Sequence, residues 1–196
     1  MIKDSIVICI SGMAGSGKST LARKLAKKYR LEYYSGGNAL KALAIEEGYN
    51  PFKHGWWESQ EGMRFLDKRS KDLKFDKAVD RKLLGLARQG NVILDSWTMP
   101  WLLKKGFKIW LEVSSGKRAE RIANRDGISV KEALKALRSK EEKTKAIYKK
   151  LYGFSLGEDF TPFHFILDTN KLNKEEVFHI LCMMMDNVVL KSSKNG

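Results

Sequence analysis

A glycine-rich loop near the start of the chain constrains this sequence most. An apolar run from Ile6 to Ile10 precedes it and is typical of a buried parallel strand. The residues from Ser19 to Arg30 follow with the spacing of an amphipathic helix. The loop fits the pattern G-x-x-x-x-G-K-[ST] and consists of Gly12, Met13, Ala14, Gly15, Ser16, Gly17, Lys18, Ser19 and Thr20. Because strand, loop and helix come in the required order, a chance glycine-rich turn is the less favoured interpretation.

Each part of this loop has a physical role at a polyphosphate. Its three glycines allow backbone conformations in which successive N–H groups point at phosphate oxygens. The following helix contributes its positive N-terminal end. Lys18 can reach the β- and γ-phosphates, and the Ser19 hydroxyl can ligate Mg²⁺. The sequence therefore predicts a nucleoside triphosphate site.

Composition limits the remaining function classes. The chain has 37 Lys and Arg against 23 Asp and Glu, a net charge of +14. This excess favours an anionic partner, but a lysine-rich surface explains it equally well, and charge does not separate a mononucleotide from RNA. No apolar run approaches the roughly 20 residues of a membrane span. Cys9 and Cys182 both lie in apolar patterns, so we expect buried free thiols in a cytoplasmic protein without a signal peptide.

Strands and helices alternate along the chain, which predicts an α/β fold with a parallel sheet. We expect one domain over 1–190 and a frayed tail over 191–196. In the final helix the predicted buried stripe is Val177, Leu181, Met184 and Val188. The five predicted strands cover about 5–11, 31–35, 91–95, 107–113 and 163–168.

Two helical segments carry many charges and little apolar pattern. One lies between the second and third strands, at about 36–89, and the other between the fourth and fifth, at about 126–160. We expect them to stand away from the main core. Mobile flaps of this kind can close over a phosphoryl-transfer site and expel water.

Charged residues at strand ends are candidates for the chemistry. Asp95 ends the third strand, where it can hold Mg²⁺ directly or through water, or merely cap the next turn. Arg121 and Arg125 share one face of the helix after the fourth strand, with Arg118 beside them. One arginine can stack on a nucleobase while another grips phosphate, unless the helix face is simply solvated.

The order and spacing of seven stretches match one known family. They are Gly12–Thr20, Tyr34–Asn38, Asp76–Arg81, Gly90–Asp95, Arg118–Arg125, Gly127–Leu134 and Tyr152–Gly153. Over nearly its whole length the chain resembles nucleoside monophosphate kinases, most of all the archaeal type of cytidylate kinase. The resemblance implies a three-layer P-loop kinase fold with a five-stranded parallel sheet, a helical acceptor-binding flap at about 36–89 and a lid at about 126–160.

The resemblance also implies roles for individual residues. The glycine loop would bind ATP phosphates, Arg121 would stack on adenine and Arg125 would touch phosphate. Ser19 and Asp95 would organise Mg²⁺. From the loop chemistry and the resemblance together, the catalytic residues that we expect are Lys18, Arg121, Arg125 and Lys140. The acceptor-binding residues expected are Ser35, Asn38, Lys41, Asp80, Arg81 and Trp97.

Departures from the family pattern concentrate on the acceptor and lid side. Asn38 and Lys41 stand where the family usually has Asp and Arg. Trp97 follows Ser96 where a Gly-Arg turn is usual, and the lid arginine places hold Lys140 and Ile147. A lysine offers a point charge instead of a bidentate fork, so these exchanges matter at a phosphate. Other cations can take over, and the candidates are Lys41, Arg64, Arg69, Arg81, Lys140 and Lys143.

Three hypotheses follow. The leading one is an ATP- and Mg²⁺-dependent kinase of a nucleoside monophosphate, with CMP or dCMP first, acting as a monomer or weak dimer. A kinase or NTPase acting on RNA or another large phosphate acceptor is the second, since four tryptophans in the acceptor region can stack on bases or form a small core. They are Trp56, Trp57, Trp97 and Trp101. The third is a nucleotide-dependent regulatory protein that has lost turnover.

Overall fold

The computed structural model describes residues 6–52 and 55–190 and contains one parallel five-stranded sheet. The strand order is β2-β3-β1-β4-β5, and each neighbouring pair is parallel. The strands are β1 Val7–Ser11, β2 Glu32–Ser35, β3 Val92–Asp95, β4 Phe107–Glu112 and β5 Phe165–Asp168. All five predicted strands are therefore confirmed within a few residues at each end, as is the predicted α/β fold class.

Helices connect the strands on both sides of the sheet. They are α1 Lys18–Tyr29, α2 Gly36–Glu46, α3 Gln60–Lys71, α4 Lys74–Gln89, α5 Met99–Leu102, α6 Ser115–Asp126, α7 Val130–Tyr152 and α8 Lys174–Met184. A 3₁₀ turn, Trp56–Glu58, precedes α3, and a π-helical segment, Met185–Val189, follows α8. Capping boxes at Ser129 and Asn173 begin α7 and α8, with Glu132 and Glu176 three residues further on.

Alternation along the strands divides the core between the two sheet faces. Ile8 and Ile10 pack with α1 and α8, whereas Cys9, between them, packs with α2 and α4. Successive side chains of a strand point to opposite faces, so one apolar run supplies both layers. Cys9 and Cys182 are buried free cysteines, as predicted.

The expectation that the helical flaps stand away from the core is wrong for α4. Phe75, Val79 and Leu83 are spaced four residues apart, form one buried stripe and pack against β3. Charged neighbours along the chain hide this stripe. Helix α7, in the segment predicted to form the lid, packs on α3 around Leu66 and Ile147, so it too has an apolar contact surface. The limits of the two flap segments stay a prediction.

The C-terminal stripe also differs from the prediction. Val177, Leu181 and Met184 are buried, but Val188 is 46% exposed, and Met185 is fully buried. The π-helical turn from Met185 to Val189 changes the angular spacing, so the stripe shifts by one residue. The predicted tail at 191–196 lies outside the described residues. Within the described ranges, no helix is long and apolar enough to cross a membrane.

The difference in burial predicts a large loss of stability for one methionine of this segment and almost none for another. Met185→Ala should destabilise the protein by about 2–5 kcal/mol because it leaves a cavity in the core. Met183→Ala should change stability by no more than about 0.5 kcal/mol, since Met183 is 50% exposed. Urea unfolding followed by circular dichroism measures both. Equal costs for the two variants would contradict the described helix phase.

Candidate nucleotide-binding cleft

One cleft of about 610 Å³ lies at the carboxyl edge of the sheet. The register sets Ile10 and Ser35 level with Asp95, so β1, β2 and β3 end within one residue of the same level. The predicted site residues that line the cleft are Ala14, Gly15, Gly17, Lys18, Ser19, Thr20, Ser35, Asn38, Lys41, Asp80, Asp95, Trp97, Arg121, Arg125 and Lys140. Gly12, Met13 and Ser16 complete the loop beneath it.

Close packing gives the glycine loop its shape. A Cβ on Gly12 would lie 2.7 Å from the Leu111 carbonyl oxygen, and one on Gly15 would lie 2.9 Å from the Arg118 carbonyl oxygen. Both residues have positive φ, 149° and 83°, which favours glycine. The buried Ser16 hydroxyl has no hydrogen-bond partner among the described residues. A phosphate oxygen accepting from it would remove a cost of about 1–3 kcal/mol, so the loop fits a polyphosphate.

Lys18 begins α1 at the floor of the cleft. Its burial lowers the pKa of the ammonium, and the Asp95 carboxylate opposes this shift. Nearby cationic Lys140 and Arg118 lower the pKa further. The Lys18 ammonium lies 5.4 Å from the ring centroid of Trp97. A phosphate would therefore meet a partly desolvated cation, whose attraction is stronger than in water.

Ser19 and Asp95 meet across the ends of α1 and β3. The Ser19 hydroxyl donates to Asp95 Oδ2 at 2.5 Å, and the Tyr33 hydroxyl donates to the same oxygen at 3.1 Å. Burial, and then the Asp95 charge, raise the pKa of Tyr33 to about 12, so Tyr33 remains a donor. A hydroxyl and a carboxylate are oxygen ligands that suit Mg²⁺. In the described part of the chain no cluster of three metal-ligating side chains occurs, so phosphates and water would complete the shell.

Two arginines of α6, Arg121 and Arg118, contact the glycine loop from different sides. Arg121 lies over the loop, with Nη1 3.4 Å from the Ser16 carbonyl oxygen. Arg118 is buried and donates to the Ala14 and Val113 carbonyl oxygens, besides an ion pair with Glu141. Arg118 therefore supports the loop from behind.

A second recess, of about 380 Å³, adjoins the loop on its outer side. Arg121 forms one wall, and the turn after β5, with Thr169 and Asn173, forms another. Thr169 is buried and donates to the Glu112 carbonyl oxygen, which fixes the turn. Thr169 and Asn173 were not predicted as site residues, because only the parallel pairing of β4 and β5 brings them beside the loop.

Glu58 joins the two flaps and was also missed. Its carboxylate accepts from Lys140 Nζ at 2.8 Å and pairs with Arg125 Nη2 at 3.1 Å. Its side chain is only 6% exposed. Arg125 pairs with Asp126 as well, at 2.6 Å. The predicted catalytic cations Arg125 and Lys140 thus face the cleft while held by carboxylates.

The side of the cleft that was predicted to bind the acceptor begins at α2. The Ser35 hydroxyl accepts from the Asn38 backbone N–H at 3.3 Å, so the helix begins at Gly36. Lys41 lies on this helix with its ammonium 6.0 Å from the ring centroid of Trp56. Ser35, Asn38 and Lys41 therefore line the same cleft, and their role in acceptor binding stays a prediction.

On α4, Asp80 is buried beside the cleft, whereas the next residue, Arg81, is exposed. Asp80 is buried and accepts from Thr98 Oγ1 at 2.5 Å and from the Tyr152 hydroxyl at 2.6 Å. Burial raises the pKa of Asp80 to about 6, against the effect of these hydrogen bonds. Arg81 is exposed and does not line the cleft, because one residue of helix turns the side chain by about 100°. Arg69 lines the cleft instead, paired with buried Asp76 at 2.6 Å.

Of the four tryptophans of the predicted acceptor region, two belong to the core and two are half-buried side chains that line the cleft. Trp56 is buried, and Trp101 stacks on Phe154 with ring centroids 3.9 Å apart, so both belong to the core. Trp57 lines the cleft, half-buried. Trp97 is half-buried too, and its Nε1 donates to the Gly12 carbonyl oxygen at 2.6 Å. Ile147, at a lid arginine place of the family, lies in the apolar core.

The chain is similar to known proteins over nearly its whole length. The model of the cytidylate kinase-like family matches residues 7–171. The chain belongs to the cytidylate kinase-like family. The cytidylate kinase of Pyrococcus horikoshii is 33% identical over 189 residues, which are 96% of this chain and 92% of that protein. The cytidylate kinase of Methanocaldococcus jannaschii is 32% identical, over 93% of this chain and 99% of that protein.

Solved structures agree at the level of fold. Shikimate kinase from Acinetobacter baumannii has a TM-score of 0.56 at 17% identity, over 95% of this chain and 97% of that chain. An uncharacterised protein from Eubacterium ventriosum has a TM-score of 0.61 at 18% identity, over 93% and 99% of the two chains. The predicted P-loop kinase fold and the predicted enzyme class, nucleoside monophosphate kinase, are confirmed for this member of the cytidylate kinase-like family.

The raised pKa of Asp80 predicts a pH-dependent stability. The unfolded carboxyl ionises near its ordinary value of 3.8 and the folded one near 6, so the folded state holds more protons between these values. Stability from this group is therefore full below about pH 4 and falls by about 2–3 kcal/mol as the pH rises to 6. Asp80→Asn should lack this fall. Urea unfolding of both proteins from pH 3.5 to 7.5 tests it, and parallel profiles would contradict the assignment.

Proposed function

We propose that this protein transfers the γ-phosphoryl group of ATP to a nucleoside monophosphate, with CMP or dCMP as the preferred acceptor and CDP or dCDP as the product. The observation that carries the proposal is one cleft shared by the loop with Lys18, the Ser19–Asp95 pair and the acceptor wall of α2 and α4. Relatives named cytidylate kinase support the choice of base.

ATP would occupy the loop and the adjoining recess. The loop amides and the N-terminus of α1 would surround the phosphates, with Lys18 on the β- and γ-groups. Arg121 stands between the loop and the recess, so its guanidinium would stack on adenine there. Thr169 and Asn173 would bound the base on its other side.

Mg²⁺ fits beside these phosphates. Ser19 and Asp95 would hold it, and Tyr33 would keep the Asp95 carboxylate oriented by its hydrogen bond. When bound, the ion would neutralise the negative charge that develops during transfer.

The acceptor needs positioning more than activation. A monophosphate is already an anion at neutral pH, so no dedicated general base is required, and alignment with the donor supplies much of the rate. Lys41 and Asn38 would hold the acceptor phosphate. Asp80, with Thr98, would accept from the exocyclic amino group of cytosine.

The flaps at about 36–89 and 126–160 would close around both substrates. Arg125 and Lys140 would turn from Glu58 to the transferred phosphoryl group and stabilise its charge. Glu58 would hold both cations at the edge of the cleft until phosphate competes for them. This exchange makes Glu58 part of closure, since it belongs to one flap while Lys140 belongs to the other and Arg125 immediately precedes it.

A second candidate is a nucleotide-dependent regulatory protein with little turnover. The observation in its favour is that Arg125 and Lys140 are both ion-paired, while Trp97 and Ile147 stand at arginine places of the family. Tight ATP binding without transfer to any acceptor would favour it.

A turnover assay separates these candidates. We expect ADP release coupled to CDP or dCDP formation, with slower turnover of UMP, AMP and GMP, measured enzymatically and by chromatography of the products. Lys18→Met should lower kcat/KM on the order of 10²–10³-fold because it removes a phosphate-binding cation. Lys27→Met, on the exposed face of the same helix, should leave it unchanged. A folded, ATP-binding protein that phosphorylates no monophosphate would contradict the proposal.

A further inference from the structure

Trp97 contacts the glycine loop at two points. Its Nε1 donates to the Gly12 carbonyl oxygen at 2.6 Å, and its ring face lies 5.4 Å from the Lys18 ammonium. An edge contact with Tyr148, at 6.4 Å between ring centroids, supports the indole from the lid helix. One side chain thus joins the first residue of the loop, its lysine and the lid.

These contacts constrain Lys18 more than the loop alone can. A lysine ammonium is a compact charge on a flexible stem of four carbons, so many positions are open to it. An indole face attracts a cation within about 6 Å of its centroid, and more strongly where the cation is desolvated. The hydrogen bond to Gly12 prevents the indole from swinging away, and burial already lowers the pKa of Lys18.

The indole of Trp97 cannot bind phosphate in the way that an arginine at this position would. The family usually has an arginine at the position of Trp97, and an arginine offers two parallel N–H donors to phosphate. Indole has one N–H donor, and Gly12 already occupies it. Trp97 therefore brings no free donor to an acceptor phosphate, although its ring borders the cleft.

We propose that Trp97 is a positioning residue for Lys18: its N–H fixes the indole to the loop, and its ring face holds the ammonium where it meets the ATP phosphates. This inference deepens the proposed function and depends on ATP being the donor. It moves Trp97 from the acceptor side, where the sequence analysis placed it, to the donor side of the reaction.

The expected effects follow from removing the ring or only its N–H. Trp97→Leu removes both contacts and should weaken binding of a non-hydrolysable ATP analogue with Mg²⁺ by about 10- to 100-fold. Trp97→Phe keeps a ring and should weaken it by no more than about 5-fold. Trp101→Leu is the matched control, because Trp101 is a core residue that does not line the cleft, and it should change affinity less than about 2-fold.

Calorimetric titration measures these affinities, and a thermal melt shows that each variant is folded. Trp97→Met, which also lacks ring and N–H, replaces Trp97→Leu if that variant does not fold. Steady-state kinetics should show the loss in the KM for ATP, with the KM for the monophosphate changed less than about 3-fold, as a contact to the donor alone requires. Trp97→Arg should not restore any activity that Trp97→Leu loses.

Four results would overturn the proposal. They are unchanged affinity in Trp97→Leu, an equal loss in Trp101→Leu, a loss confined to the KM of the monophosphate, and a Trp97→Phe variant as weak as Trp97→Leu, since the ring would then contribute nothing. A wild-type protein that binds no ATP would overturn both this inference and the proposed function. ATP binding without turnover of any monophosphate would overturn the proposed function alone, because the titration needs no acceptor.

Discussion

The close approach of the glycine loop to β4 and α6 is the contact on which the rest of the site depends. Gly12 and Gly15 have no room for a side chain beneath the Leu111 and Arg118 carbonyl oxygens. This approach fixes the start of α1, and with it the directions of Lys18 and Ser19. The parallel pairing of β1 with β3 then brings Asp95 within hydrogen-bond distance of Ser19. Donor-side geometry therefore follows from backbone packing before any ligand is considered.

Features that depend on a short continuous stretch of residues could be predicted from the sequence. The glycine loop, the five strands and the capping boxes at Ser129 and Asn173 each have a local pattern with one physical meaning. The resemblance implied that Ser19 and Asp95 act together, and in the structure their side chains are hydrogen-bonded. The resemblance also assigned Arg121 to the site that contains the loop, and in the structure Arg121 lies over the loop.

Features that depend on contacts between distant residues could not be predicted. Glu58 is one of many carboxylates in the sequence, and only the fold brings it between Arg125 and Lys140. Asp80 and Arg81 adjoin in sequence, yet helix rotation buries one and exposes the other. The stripe on α4 was hidden by charges between its members, and the π-helical turn before Val188 has no signal in the sequence that we identified.

The central claim is that one cleft holds donor and acceptor together. A compound that joins adenosine to cytidine through five phosphates tests it directly, by calorimetric titration with Mg²⁺. The account predicts one molecule bound per chain, on the order of 10²-fold tighter than ATP, because linkage makes the second binding event intramolecular. CMP present in excess should weaken this binding. An affinity no higher than that of ATP, and indifferent to CMP, would contradict a shared cleft.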